Sequence, residues 1–116
     1  MKVSIAQIDI AYGNVSKNYE RTANSLQKAL DDHPDVIVLP EMWNTGYALD
    51  QLDELADKNG ERTRDFLSAF AKKHDVNIVG GSCAVKRQGK FWNTAYDFDR
   101  KGQLINEYDK VHLFGL

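Results

Sequence analysis

Two charged side chains of this sequence stand where they could do chemistry. Glu41 directly follows Pro40 and the apolar run at 36–39, and a partly desolvated carboxylate there could act as a general base. A solvated carboxylate at a strand end would explain the same position. Lys110 has apolar residues after it, so its ammonium is either a surface gatekeeper or an inward cation that stabilises an oxyanion on a substrate carbonyl. Position alone leaves both alternatives open for each residue.

The loop after Glu41 carries further candidates. Trp43, Asn44 and Tyr47 could line a substrate pocket, or they could simply pack the loop against the core. Cys83 is the one cysteine of the chain, and it lies in a predicted buried strand, where a free thiol behaves as a small apolar side chain. We therefore do not expect Cys83 to be a nucleophile.

Composition excludes several other classes of protein. Three histidines and one cysteine stand far apart with no pair at metal-ligand spacing, so we expect no metal site. The formal net charge of −2 shows no electrostatic footprint for nucleic acid or an anionic membrane. No apolar run reaches the roughly 18 residues of a membrane helix. The lone cysteine does not indicate an oxidising compartment, so a cytoplasmic location is expected.

Hydrophobic periodicity predicts the elements that would position these side chains. Strands are predicted at 3–10, 36–39, 76–85, 91–98 and 103–111, the first two with both faces buried. Helices are predicted from a Ser16 N-cap to about residue 30, over about 49–56, and over 63–74. The first two strands should be parallel, joined by a helical crossover. The last three are joined by short turns and should be antiparallel neighbours.

Two segments together resemble a known family. Leu39-Pro40-Glu41-Met42-Trp43-Asn44-Thr45-Gly46-Tyr47 resembles the first catalytic motif of the carbon-nitrogen hydrolase (nitrilase) superfamily. Tyr108-Asp109-Lys110-Val111-His112-Leu113-Phe114 is similar to its second, lysine-containing motif, and the spacing of 69 positions between Glu41 and Lys110 fits the family. The opening strand with Gln7 and the segment Val79-Gly80-Gly81-Ser82 also match. Within the superfamily, the first motif is most similar to bacterial ω-amidase-like members.

The resemblance implies a fold and a set of roles. The fold would be α/β, the N-terminal part of a four-layer α-β-β-α sandwich that forms homodimers when full length. Glu41 would be the general base, and Lys110 would stabilise the tetrahedral intermediate formed from a small linear amide. Trp43, Asn44 and Tyr47 would bind the substrate. The reaction would proceed through a cysteine thioester and would need no metal or cofactor.

The resemblance also implies that something essential lies outside these residues. The family's nucleophilic cysteine and its second glutamate follow the lysine motif, and Cys83 precedes it. We therefore expect residues 1–116 to be a single domain unit, the N-terminal part of a carbon-nitrogen hydrolase domain, that does not turn over substrate alone.

Two alternatives remain at this point. The chain could be a truncated, non-catalytic fragment with a structural or interaction role, because half a sheet leaves apolar strand faces uncovered. It could also be an unrelated cysteine hydrolase of the isochorismatase type. That alternative requires the last three strands to be parallel.

Overall fold

The computed structural model describes residues 1–113, so Phe114, the last residue of the second motif, lies outside the described residues. Seven strands form one sheet flanked by helices. The strands are β1 Val3–Ile5, β2 Val36–Val38, β3 Asp57–Lys58, β4 Asn77–Val79, β5 Cys83–Arg87, β6 Lys90–Phe98 and β7 Leu104–Leu113. The α-helices are α1 Val15–Ala29, α2 Leu52–Leu55 and α3 Glu61–His74, with short 3₁₀ turns at Leu30–Asp32 and Leu49–Gln51.

The sheet combines a parallel part and an antiparallel part. β1, β2 and β4 are mutually parallel, as expected for strands joined through helices α1 and α3. β6 is antiparallel to β4, β5 and β7 and is the strand that joins the two parts. The prediction of antiparallel neighbours in the second half is therefore confirmed, and the isochorismatase-type alternative is wrong.

The strand predicted at 76–85 is interrupted. It forms two short strands, β4 and β5, which pair with different parts of β6. The break falls at Gly80 and Gly81, where the backbone of other segments approaches too closely for any side chain. A Cβ on Gly80 would lie 2.0 Å from the Tyr96 carbonyl oxygen, and one on Gly81 would lie 2.0 Å from that of Pro40. The predicted close approach at this glycine pair is confirmed.

Other element boundaries also differ from the predictions. β1 ends at Ile5 because its partner β2 is only three residues long, and its outer face is open, with Ile5 73 % exposed. The prediction that both faces of the first two strands are buried is thus wrong for the described chain. Asn14, not Ser16, caps α1, since its side chain accepts a hydrogen bond from the Lys17 amide at 3.1 Å. The two-residue strand β3 was not predicted.

The core lies between the sheet and helices α1 and α3. Its buried members include Tyr19 and Leu26 of α1, Leu67 of α3, and Ile37 and Ile78 of the parallel strands. This packing confirms the amphipathic character predicted for both long helices. Within residues 1–113, none of the helices has the length and apolar character needed to cross a bilayer.

Candidate active site

Glu41 lies at the carboxyl end of β2, the edge at which open α/β sheets bind ligands. Leu39 still pairs with β4, through its amide and the Val79 carbonyl at 2.9 Å, and the chain then leaves the sheet at Pro40. Met42 follows with a φ of +52°, a left-handed conformation that is uncommon for a residue with a side chain. The reversal buries the Met42 side chain and leaves the Glu41 side chain 47 % exposed.

The segment between β4 and β5 forms hydrogen bonds with this loop. Ser82 donates its amide to the Pro40 carbonyl at 3.3 Å, and its hydroxyl accepts from the Met42 amide at 3.0 Å. The Ser82 carbonyl in turn accepts from the Trp43 amide at 3.2 Å. The backbone on both sides of Glu41 is therefore fixed to one short segment.

Trp43 and Asn44 are fully buried, and they also anchor this loop to the residues that lie between and within β4 and β5. The Trp43 indole N–H donates to the Gly80 carbonyl at 3.0 Å, and its ring packs edge-on against Tyr19 at 5.0 Å between centroids. The Asn44 side chain bonds both backbone groups of Ala84, donating to its carbonyl at 3.0 Å and accepting from its amide at 2.9 Å. Both side chains therefore hold the loop in the described chain.

Tyr47 differs from these two neighbours, because its side chain is 61 % exposed. Of the three residues predicted to bind substrate, it alone presents its side chain to the surface. The assignment of all three as substrate contacts stays a prediction.

Lys110 reaches the site from a β-bulge. In the β6–β7 ladder Asn93 pairs with Val111 and the next residue, Thr94, pairs with Asp109, so Lys110 is an extra residue without a partner on β6. Bulges of this kind bend a strand and redirect a side chain, and they are common beside active sites. Sequence analysis did not predict the bulge, because the bulge is defined by the register between β6 and β7.

The structure brings Glu41 and Lys110 together as an ion pair between Glu41 Oε1 and Lys110 Nζ. Both side chains are partly exposed, 47 % for Glu41 and 37 % for Lys110, so the pair remains accessible to a ligand. A carboxylate can take and return protons, and an ammonium can stabilise a developing oxyanion. The pair thus combines two of the functions that acyl transfer needs, proton transfer and stabilisation of an oxyanion. The third function, a nucleophile, is not part of the pair.

A second polar cluster lies beside Lys110. Asp109 accepts hydrogen bonds from the Arg87 guanidinium and, at 2.8 Å, from the Thr94 hydroxyl. Partial burial acts to raise the pKa of Asp109, but these hydrogen bonds outweigh it and hold the pKa below its usual range. Sequence analysis missed this cluster, because it depends on the pairing of three strands.

Cys83 is fully buried in the core, as predicted. Burial raises the pKa of its thiol, an effect that the Thr63 hydroxyl opposes only in part. The reactive thiolate is therefore disfavoured, which is typical of a structural cysteine. Among residues 1–113, no three His, Cys, Asp or Glu side chains are placed to hold a metal ion together.

Comparison with known proteins assigns the chain to a family. The carbon-nitrogen hydrolase family model matches residues 2–115, and the chain belongs to this family. It is 47 % identical over 114 residues to the 2-oxoglutaramate amidase of Bacillus subtilis, covering 98 % of this chain and 44 % of that protein. It is 46 % identical over 113 residues to a protein of Staphylococcus aureus described as a hydrolase in the agr operon, covering 97 % of this chain and 43 % of that protein.

A solved structure confirms the fold class. The crystal structure of Saccharomyces cerevisiae Nit3, a member of the nitrilase superfamily, matches with a TM-score of 0.83 at 28 % identity. The match covers 97 % of this chain and 44 % of that one. The chain therefore has the α/β nitrilase-type fold, and it spans less than half the length of the curated relatives it matches.

Proposed function

We propose that this chain is the N-terminal part of an amidase that hydrolyses a small linear amide, a non-peptide C–N bond, to a carboxylic acid and ammonia. The Glu41–Lys110 ion pair is the observation that carries this proposal, because it unites a base and a cation from the two family motifs. The fit to the family model over residues 2–115 supports it.

The proposed reaction uses a cysteine from outside residues 1–116. Glu41 takes the thiol proton, and the thiolate attacks the amide carbon. Lys110 stabilises the resulting oxyanion. Collapse of the intermediate breaks the C–N bond, and the protonated Glu41 returns its proton to the departing ammonia. Glu41 then activates water, which attacks the thioester and releases the acid and the free thiol.

We propose a 2-oxo acid with a terminal amide as the substrate, because a relative 47 % identical is named 2-oxoglutaramate amidase. A nitrile or an N-carbamoyl amine is the less favoured substrate class. Tyr47 is the exposed candidate for contact with this substrate, and Trp43 and Asn44 shape the loop from which it projects.

The domain organisation, the oligomeric state and the location of the protein are also proposed. Residues 1–116 would act as one domain unit of a full-length homodimer, as in the family that the motifs resemble. A cytoplasmic location would suit the lone, buried and reduced Cys83.

The test measures ammonia release from 2-oxoglutaramate by the product of the complete coding sequence. Glu41→Gln and Lys110→Ala should each lower kcat/KM by about 10²–10⁴-fold, since each removes a group that acts in the transition state. Matched controls are Glu20→Gln and Lys101→Ala, which change exposed residues and should leave activity unchanged. Near-normal activity of Glu41→Gln or Lys110→Ala, with folding intact, would refute the assigned role.

The alternative, a non-catalytic fragment with a structural or interaction role, is favoured by one observation. Val3, Ile5 and Val79 lie on the same face of the parallel strands and are all exposed. Ammonia release by the product of the complete coding sequence decides between the two ideas, and assay of residues 1–116 alone tests whether an outside cysteine is needed. We expect no turnover, and clear turnover would show that no outside cysteine is needed.

A further inference from the structure

The β6–β7 hairpin contains two register shifts of the same kind. Near the turn, Asp97 pairs with Asn106 and Phe98 with Leu104, which leaves Ile105 as an extra residue on β7. Further along, Lys110 is the extra residue in the same sense. The two bulges differ in the side chains that surround them, and this difference can be tested.

The bulge at Ile105 is held by one exposed side-chain hydrogen bond. The Asn106 side-chain amide donates to Asp97 Oδ2 at 3.0 Å. The bulge at Lys110 is held more extensively, since Asp109 accepts from both Arg87 and Thr94. Arg87 also donates to the Thr94 hydroxyl at 3.1 Å, which closes a three-membered network across β5, β6 and β7. Thr94 is fully buried, and Arg87 and Asp109 are about one-third exposed.

The network also determines where Asp109 points. Asp109 is in register with Thr94, which is in register with Cys83, so these three residues share one face of the sheet. Lys110 comes next in the chain and pairs with Glu41. An unpaired Asp109 would be the nearest carboxylate along the chain to compete with Glu41 for the ammonium. Arg87 and Thr94 occupy that carboxylate instead.

We propose that Arg87, Thr94 and Asp109 are positioning residues for Lys110: they hold the bulge and keep Asp109 from replacing Glu41 as its partner. This inference rests on the proposed amidase function. It assigns a role to Arg87 and Asp109, which are not themselves members of the Glu41–Lys110 pair. Displacement of a catalytic group by about 1 Å can lower a rate by about 10²-fold, so the effect should be large enough to measure.

The experiment compares three variants of the complete enzyme in steady-state kinetics with 2-oxoglutaramate. Asp109→Ala should lower kcat by about 10- to 100-fold with KM changed less than about twofold, because the ammonium is misplaced and the substrate contacts remain. Asp109→Asn should stay within about threefold of wild type, since an amide oxygen accepts the same two hydrogen bonds. Asn106→Ala, at the other bulge, is the matched control and should stay within about twofold.

Crystal structures of the same variants give a readout that does not need turnover. Lys110 Nζ should contact Glu41 in wild type, in Asp109→Asn and in Asn106→Ala, and should leave Glu41 in Asp109→Ala. If the wild type fails to hydrolyse the amide, the proposed function fails, and these structures still decide the positioning role. Should Asp109→Ala not fold, Thr94→Val keeps the side-chain volume, removes one member of the network and should move Lys110 Nζ away from Glu41 and toward the freed Asp109.

Two results would overturn the proposal. The first is a wild-type kcat in Asp109→Ala with Lys110 still on Glu41. The second is an equal loss of kcat in Asp109→Ala and Asn106→Ala, which would indicate general loosening of β7.

Discussion

Glu41 and Lys110 meet at one point, but the segments that carry them are built differently. The loop after β2 is anchored from inside the core: Trp43 and Asn44 are fully buried, and both bond backbone groups of the segment from Gly80 to Ala84. β7 is almost entirely exposed and, among the described strands, pairs with β6 alone. Glu41 therefore follows a segment held by buried contacts, whereas Lys110 lies on an exposed strand beside a local polar network. Changes to the loop should cost stability, and changes around the bulge should cost activity.

The largest expected effect is at Gly81, beneath the Glu41 loop. Gly81→Ala should lower the free energy of unfolding by about 3–4 kcal/mol, because the new Cβ would meet the Pro40 and Leu39 carbonyl oxygens at 2.0 and 2.6 Å with φ at +63°. Gly89→Ala is the matched control. Its φ is +75°, but no atom lies within 4 Å, so only the backbone preference is lost, about 1 kcal/mol. Denaturant unfolding measures both, and similar losses would show that the loop is not tightly held.

The next prediction compares the loss of stability when an asparagine is replaced in each of the two regions. Asn44→Ala should cost about 3 kcal/mol, because it leaves both a buried N–H and a buried C=O of Ala84 without a partner. Asn106→Ala on β7 removes a single exposed hydrogen bond and should cost no more than about 0.5 kcal/mol. Thermal unfolding of the two variants tests the comparison. Equal costs would contradict the view that the two regions are held differently.

The smallest effect is a pH dependence confined to β7. The pKa of Asp109 is lowered on folding, so its contribution to stability is complete above the unfolded pKa of about 3.9 and is lost as the pH falls through the folded value. The hydrogen bonds of Asn44 do not titrate in this range. A ¹³C NMR titration should place the Asp109 midpoint below 3.9 and move it upward in Arg87→Gln. An unchanged midpoint in that variant would exclude Arg87 as the cause.

Local sequence signals predicted most of the elements. Apolar periodicity identified both long helices and the short strand that precedes Glu41, because one apolar helix face or one apolar run is encoded within a few residues. The motifs pointed to Glu41 and Lys110, which the structure brings together, although their catalytic roles stay predictions. The choice between Asn14 and Ser16 as N-cap could not be made locally, since both are good capping residues two positions apart.

The features that were missed depend on pairing between distant segments. The division of 76–85 into β4 and β5 follows from the approach of Pro40 and Tyr96 to the two glycines. The bulge at Lys110 and the contact of Arg87 with Asp109 exist only once β5, β6 and β7 are in register. Neither composition nor periodicity contains that information, and the same holds for the exposed face of β1, which depends on what covers the sheet.

The topology of β6 also bears on the order of folding. β6 and β7 are joined by a turn in which the Asp99 amide donates to the Gln103 carbonyl at 3.0 Å, so this hairpin closes a short loop. The Glu41 loop must instead find Ser82, 40 positions away, and contacts of such sequence separation form slowly. We therefore expect the strand that carries Lys110 to form early in folding and the ion pair of Lys110 with Glu41 to form late. The ion pair would then mark the end of folding, and an incompletely folded chain would carry a formed hairpin with no site.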